Sequence, residues 1–228
     1  MPSSHPKYAV IVAGGTGSRM ESDVPKQFLL LANKPIILHT LQRFIDYDPQ
    51  IKLIVVLHPS LHNKLNAILK QYDFNYPLTL VAGGETRFHS VKNGLDSIKT
   101  DGLVGIHDAA RPLVSVETIK RTYFTATEKG NAIPAITVSE SMRLVQQENN
   151  EAVNRAMYRI IQTPQCFKIS LIKNAFEQTY KPSFTDDATV LEQSGEKINL
   201  VEGNPENIKI TVPSDLRIAE ALINFNCK

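Results

Sequence analysis

Short β-branched runs alternate along the chain with stretches whose apolar residues return every three or four positions. The run Tyr8–Ala13 (YAVIVA) predicts a buried strand, stopped by Gly14 and Gly15. Pro35 opens a predicted helix to Phe44, with Ile37, Leu38, Leu41, Phe44 and Ile45 on one face. Ile51–Leu57 predicts the second strand and Pro59–Gln71 the second helix. Leu78–Ala82 predicts a third strand, after which Gly83 and Gly84 open a helix carrying Phe88, Val91, Leu95 and Ile98. A fourth strand, Leu103–His107, precedes a helix over Val116–Lys129.

This rhythm implies a parallel sheet with helices on both faces, because each crossover must return the chain to the same edge. It breaks after Ala132–Ile136. Residues 138–161 hold a polar turn, Gln146 to Glu151, between two short extended pieces, which predicts a hairpin excursion. The α/β pattern resumes with helices near Ile169–Gln178 and Asp187–Gln193, a strand at Ile198–Glu202 and a closing helix from Pro213. The expected fold is α/β: one domain over residues 1–228, an open, mostly parallel sheet, and residues 138–161 as a protruding β-arm.

Composition narrows the class. A chain of 228 residues, 42% hydrophobic, buries an ample core, and 11 Gly and 13 Pro leave no room for a fibrous repeat. Lys+Arg 25 against Asp+Glu 23 gives +2, too balanced for a nucleic-acid coat or a membrane-surface protein. Cys166 and Cys227 form no disulfide framework or CxxC pattern, so a reduced, cytoplasmic compartment is expected. Met1–Lys7 lacks the apolar core of a signal peptide, and no apolar run nears the ~20 residues of a membrane span.

In open sheets of this kind, ligands sit beyond the carboxyl ends of the strands. The first such loop reads Ala13-Gly14-Gly15-Thr16-Gly17-Ser18-Arg19-Met20 and continues to Pro25-Lys26-Gln27-Phe28. Its glycines let backbone N–H groups close round phosphate oxygens, and Arg19 and Lys26 add positive charge. A P-loop would need Lys-Ser/Thr after the glycines. A dinucleotide fingerprint would need glycine where Met20 stands and an acid where His58 stands. The plainer alternative is a flexible turn with two solvated cations.

The third strand feeds Gly83-Gly84-Glu85-Thr86-Arg87-Phe88-His89-Ser90, a helix N-terminus whose N–H groups favour anions or polar base edges. A simple helix start capped by Thr86 or Glu85 is the alternative. The fourth ends His107-Asp108-Ala109-Ala110-Arg111-Pro112. Asp108 there suits Mg²⁺ or a ribose hydroxyl and Arg111 a phosphate, unless the two simply pair. Arg155, Gln162-Thr163-Pro164-Gln165, Thr185-Asp186-Asp187 and Lys209 are further candidates. Thr185-Asp186-Asp187 also reads as a capped helix start, and Lys209 as a solvated edge lysine. His5, His39, His58, His62, His89 and His107 show no HxxH or HExxH spacing, and there is no GxSxG elbow. Direct phosphoryl or nucleotidyl transfer is the chemistry left standing.

Taken jointly, AGGTGSRM with PKQF, GGETRFHSVKNGL, HDAARP, QTPQCF, TDDATVLEQSG and VEGNPENIKIT resemble the 2-C-methyl-D-erythritol 4-phosphate cytidylyltransferase family of the non-mevalonate isoprenoid pathway. They run in order through residues 9 to 220. The resemblance implies a Rossmann-like nucleotidyltransferase fold, a CTP- and Mg²⁺-dependent enzyme, and a homodimer formed through the arm. It implies that Arg19 and Lys26 stabilise the transition state and that Arg155 and Lys209 position the methylerythritol phosphate. Ala13, Gly14, Gly15 and Gly17 fall in the nucleotide loop. Gly84, Glu85 and Ser90 fall where the family reads cytosine, the glycines leaving the base's approach open. Ala109 falls beside the ribose, and Asp108, Arg111, Thr163 and Thr185 around the substrate and triphosphate, with Asp108 as the metal contact. On the arm, Glu140-Ser141-Met142-Arg143 stands where the family usually has Asp-Thr-x-Lys, so Ser141 keeps the hydroxyl. A ribitol 5-phosphate cytidylyltransferase shares the first loop but usually reads HDSxRP in the fourth. A catalytically silent nucleotide-binding scaffold is the other alternative, against which Arg19 and Lys26 stand.

Overall fold

The computed structural model describes residues 5–14 and 24–226. The chain lays down β1 (Lys7–Val12), a small pair β2 (Leu30–Leu31) and β3 (Lys34–Pro35), then α1 (Ile36–Tyr47) and β4 (Lys52–Leu57). It continues through α2 (His62–Gln71), β5 (Leu78–Ala82), α3 (Arg87–Asp96), β6 (Leu103–Asp108), α4 (Val116–Lys129) and β7 (Asn131–Thr137). The arm follows as β8 (Arg143–Gln146) and β9 (Asn149–Ala152), before β10 (Arg159–Ile161) and β11 (Gln165–Lys168). Two short helices, α5 (Ile169–Ala175) and α6 (Asp187–Gln193), then β12 (Leu200–Glu202) and α7 (Pro213–Asn226) complete it. No helix among the described residues is long and apolar enough to cross a membrane.

The main sheet has the order β10-β7-β11-β6-β1-β4-β5, with β12 paired to β7. β6, β1, β4 and β5 are parallel, as the alternating pattern predicts. Two strands make the sheet mostly rather than wholly parallel, as expected. β11 lies antiparallel between β6 and β7, and β10 runs antiparallel along β7. Both return directly from the arm, so no crossover helix turns them round.

Alternate residues of the central strands feed two cores. Ala9, Ile11, Leu53 and Val55 pack towards α1 and α4, and Val10, Ile54 and Val56 towards α3 and α5. α3 lies close on the sheet because residue 94 is glycine. A Cβ there would stand 2.8 Å from Val10 Cγ1 and 2.9 Å from Val56 Cγ2. α4 starts where Ser115 accepts the Thr118 N–H, and stops at Gly130, whose φ of +89° suits only glycine well. The register then sets Val12 beside Asp108 and Leu57 beside Ala82, so the loops after β1, β5 and β6 open from one edge.

Candidate active site

That edge holds a cleft of about 190 Å³ lined by Ala13, Gly14, Lys26, Gly84, Glu85, Ser90, Asp108, Ala109 and Lys209, with Arg87. Of the sequence candidates, Gly15, Gly17 and Arg19 lie outside the described residues. Lys26 stands on a single 3-10 turn, Lys26–Phe28, and the following Gln27 is buried and donates to the Ala13 carbonyl at 3.1 Å. This side-chain bond ties the turn to the end of β1.

The loop after β5 is organised by Ser90. Its hydroxyl accepts the Gly84 N–H at 3.0 Å, and Thr86 caps α3 by accepting the His89 N–H. Glu85 is exposed at the rim. Packing by itself requires glycine at position 84. A Cβ there would stand 2.5 Å from His89 Cβ and 2.9 Å from the His89 carbonyl carbon, so the first turn of α3 already excludes a side chain.

Asp108 ends β6 with 8% of its surface exposed. Lys209 Nζ lies 2.8 Å from Oδ2, Arg111 Nε 3.7 Å from Oδ2 and Arg87 Nε 3.4 Å from Oδ1. Burial alone would push this carboxyl up, but Arg87, Lys209 and Arg111 hold it far below the usual carboxylate range. Lys209 is therefore tied to the fourth-strand carboxylate. Arg111 reaches past Asp108 to donate to the Asn207 carbonyl at 2.7 Å, which draws the segment carrying Lys209 onto the cleft.

His107, fully buried, fastens this corner from behind. Its Nε2 lies 3.1 Å from the Arg111 carbonyl oxygen, which can only accept, so Nε2 carries the proton. Nδ1 then accepts from Thr163 Oγ1 at 3.0 Å, and Thr163 Oγ1 accepts the Asp108 N–H at 3.2 Å. The Thr163 hydroxyl is thus engaged behind the cleft. Burial lowers the His107 pKa to about 4, so the ring is neutral at pH 7. An unfolded histidine titrates near 6.5, so below that pH only the unfolded chain takes up the proton. Stability should fall as pH drops from about 6.5 towards about 4, by about 2 kcal/mol between pH 7 and pH 5. His39, lowered by burial too, acts in the same direction, whereas Asp108 acts only below the ordinary carboxylate value of 3.8. Urea unfolding at pH 7 and pH 5 measures the loss, and His107→Gln should remove most of the difference. An undiminished difference would assign it elsewhere.

Other candidates lie apart. Thr185 is exposed, just ahead of Asp186, which caps α6 by accepting the Thr189 N–H. Arg155 and Ser141 are exposed on the arm. Arg155 donates to the Ser139 carbonyl and lines no part of the cleft within its own chain. One residue of the corner escaped sequence reasoning, and the candidate Asp187 proves to be its partner. Arg87 donates to both carboxylate oxygens of the buried Asp187, at 2.8 Å and 2.7 Å. Its only local signal is a cation in the first turn of a helix, the unfavourable end of the dipole.

A hard cation requires several oxygen ligands. No three His, Cys, Asp or Glu side chains among the described residues gather to supply them. Asp108 already faces three cations. This donor set suits a cation arriving with most of its ligands, as on a triphosphate, and does not build a resident metal centre.

Comparison with known proteins covers nearly the whole chain. Residues 8–224 match the family described as 2-C-methyl-D-erythritol 4-phosphate cytidylyltransferase. The protein of that name from Phocaeicola vulgatus is 46% identical over 217 residues, 95% of this chain and 99% of its own. That of Bacteroides thetaiotaomicron is 45% identical over 214 residues, 94% of this chain and 98% of its own. Among solved structures, the Francisella tularensis 2-C-methyl-D-erythritol 4-phosphate cytidylyltransferase superposes with a TM-score of 0.78 at 34% identity, covering 95% of this chain and 99% of that one. The 4-diphosphocytidyl-2C-methyl-D-erythritol synthase of Anaerococcus prevotii gives 0.83 at 26% identity, covering 96% of each chain.

Proposed function

Because the chain belongs to the 2-C-methyl-D-erythritol 4-phosphate cytidylyltransferase family, we propose that the cleft beyond β1, β5 and β6 is where it transfers a cytidylyl group from CTP to 2-C-methyl-D-erythritol 4-phosphate. The products are 4-diphosphocytidyl-2-C-methyl-D-erythritol and pyrophosphate, in isoprenoid precursor synthesis. A substrate phosphate oxygen forms a bond to the α-phosphorus of CTP as the bond from that phosphorus to the bridging oxygen breaks. The electron pair leaves with pyrophosphate, so no protein nucleophile is needed. What supports this reading is one juxtaposition: the Asp108–Lys209 pair closes the same cleft that Gly14 and Lys26 line.

Gly14, with Gly15 and Gly17 of the family motif, would offer backbone N–H groups to the triphosphate, and Arg19 and Lys26 meet the negative charge that builds on it. Ala13 anchors the start of the loop by donating its own N–H to the Val56 carbonyl at 2.8 Å. Gly84, Glu85 and Ser90 frame the base, and Ala109 and Asp108 the ribose and polyol hydroxyls. Lys209 directs the attacking phosphate, Arg111 and Thr163 hold this corner, and Thr185 lies at its margin. Asp108 would be the carboxylate that meets a Mg²⁺ held on the CTP phosphates, which would supply further neutralisation of charge.

The protein works in the cytoplasm as a homodimer, each unit one catalytic domain with its arm, residues 138–161, laid on the partner. Every residue of β8 and β9 is exposed, and Val145 (67%) and Met157 (81%) leave apolar surface uncovered on an arm that is marginal alone. The arm's Ser141 and Arg155 would serve the partner's site, which accounts for Arg155 lining no part of its own.

The test is pyrophosphate release from CTP with each polyol phosphate in turn. HDAARP and the VEG-NIK ending favour methylerythritol phosphate over ribitol 5-phosphate, so the former should give the far higher kcat/KM. With Gly83–Glu85 assigned to cytosine, a site that takes a pyrimidine should exclude the larger purines, so GTP and ATP should be poor substrates. Comparable kcat/KM for GTP would overturn the assignment of Gly83–Glu85 to the base.

A further inference from the structure

Arg87 occupies a position that neither its own helix nor its loop explains. It is the first residue of α3, where a cation opposes the helix dipole, directly after the cap Thr86. It is nevertheless held on two sides. Its Nη1 and Nη2 donate to Asp187, 1% exposed and 100 residues away in sequence, at 2.8 Å and 2.7 Å. Its Nε lies 3.4 Å from Asp108 Oδ1, while the other oxygen of Asp108 holds Lys209 at 2.8 Å. Burial alone would lower the Arg87 pKa, yet the two carboxylates raise it further, so the guanidinium stays charged.

The guanidinium is planar, with its donors in fixed directions. Once both Nη atoms are committed to Asp187, the direction of Nε is set, and with it the place of the Asp108 carboxylate. Acid and base alternate in the row Asp187, Arg87, Asp108 and Lys209, the last three lining the cleft and Asp187 buried behind it. That row joins the start of α6 beside Thr185, the helix opened by the cytosine loop, the end of β6 and the segment before α7. No other residue touches both Asp187 and Asp108 by ion pairing among the described residues.

We propose that Arg87 is a positioning residue for cytidylyl transfer. Through Asp108 it fixes Lys209, and hence the attacking phosphate, relative to the loop that carries the nucleotide base. The proposal rests on the reading of the cleft as the transfer site. Its physical basis is that an in-line displacement loses rate steeply when the two reactants are held even slightly out of place. A lysine at 87 keeps the charge, but one ammonium cannot serve both oxygens of Asp187 and also fix the angle to Asp108.

The experiment compares wild type, Arg87→Lys, Asp187→Asn and the double variant for pyrophosphate release at saturating CTP. CTP binding without polyol phosphate is measured by calorimetry, and folding by thermal melting. Arg87→Lys should lower kcat roughly 30-fold and raise KM for methylerythritol phosphate, with CTP affinity changed less than about threefold. Asp187→Asn, which keeps one acceptor oxygen, should lose less, roughly fivefold, and the double variant should be no worse than Arg87→Lys because both act through one linkage. A purely structural ion pair would lower the melting temperature without this split between kcat and CTP affinity. The idea is overturned if folded Arg87→Lys keeps kcat within about threefold of wild type, or if CTP affinity falls in parallel with kcat. Should Arg87→Lys not fold, Asp187→Asn with wild-type kcat overturns it. A wild-type protein that turns over neither polyol phosphate overturns the reading of the cleft instead, and this proposal with it.

Discussion

Lys26→Ala or Arg19→Ala should lower kcat roughly 10²-fold or more with the fold intact, a loss of about 3 kcal/mol of transition-state stabilisation. During transfer, negative charge builds on the α-phosphate and on the departing pyrophosphate, and this protein offers no covalent chemistry to share it. Fixed cations must meet that charge. Lys26 lines the cleft on a turn that is fastened by the Phe28 N–H to the Pro25 carbonyl at 2.8 Å and by Gln27 to the Ala13 carbonyl at 3.1 Å. Truncating the Lys26 side chain leaves both of these bonds in place. Arg19 follows from the family motif alone, since it lies outside the described residues. Steady-state pyrophosphate release at saturating CTP and polyol phosphate, beside circular dichroism of each variant, measures the effect. Near-normal kcat in a folded variant would remove that residue from the reaction.

The second large effect concerns assembly. Arg19→Ala and Arg155→Ala should each be nearly inactive as homodimers. Mixed and re-equilibrated, they should recover roughly a quarter of wild-type activity. Random reassortment makes about half the dimers mixed. In a mixed dimer one site pairs a native Arg19 with a native Arg155 from across the interface, while the other site lacks both. The prediction draws its force from the structure's account of Arg155, exposed on its 3-10 turn and bonded to the Ser139 carbonyl of its own arm. No recovery on mixing would show that Arg155 serves its own subunit.

The parallel half of the fold was legible because its signals are local and redundant. Tyr8–Ala13, Ile51–Leu57 and Leu103–His107 are continuous apolar runs, as strands buried on both faces must be. Glycine or proline punctuates each change of period. The arm was legible too, as a polar turn between short extended pieces, although the turn proper is only the two residues between β8 and β9. β11 was not. Its four residues are too few to show a period, a proline precedes them, and its buried Gln165 looks like surface. Only in the fold does Gln165 find Asp186 at 2.7 Å and the Ala188 N–H at 2.8 Å. The predicted helix to Gln178 likewise stops at Ala175.

The site divides along the same line. Loops at strand ends declared themselves through glycine and charge, and the cleft gathers Gly14, Lys26, Gly84, Asp108 and Lys209 from four of them. Arg87 and His107 were invisible as site residues for one shared reason, whereas Asp187 was already a candidate within Thr185-Asp186-Asp187. Both are defined by partners distant in sequence or behind the surface, and neither breaks its local pattern strongly. Thr163 carried a family role in the sequence, but only the fold reveals that its hydroxyl already joins His107 to the Asp108 N–H.

The way the arm is rooted has a meaning on the timescale of descent. It leaves the sheet at Thr137 and re-enters at Arg159, and these two residues face each other as paired neighbours on β7 and β10. An insertion whose ends already touch disturbs neither strand's register and adds little closure entropy whatever its length. A lineage can therefore lengthen, shorten or redecorate this segment while the strands beneath keep Asp108 where it is. The projecting hairpin and the scaffold beneath it are free to evolve at different speeds.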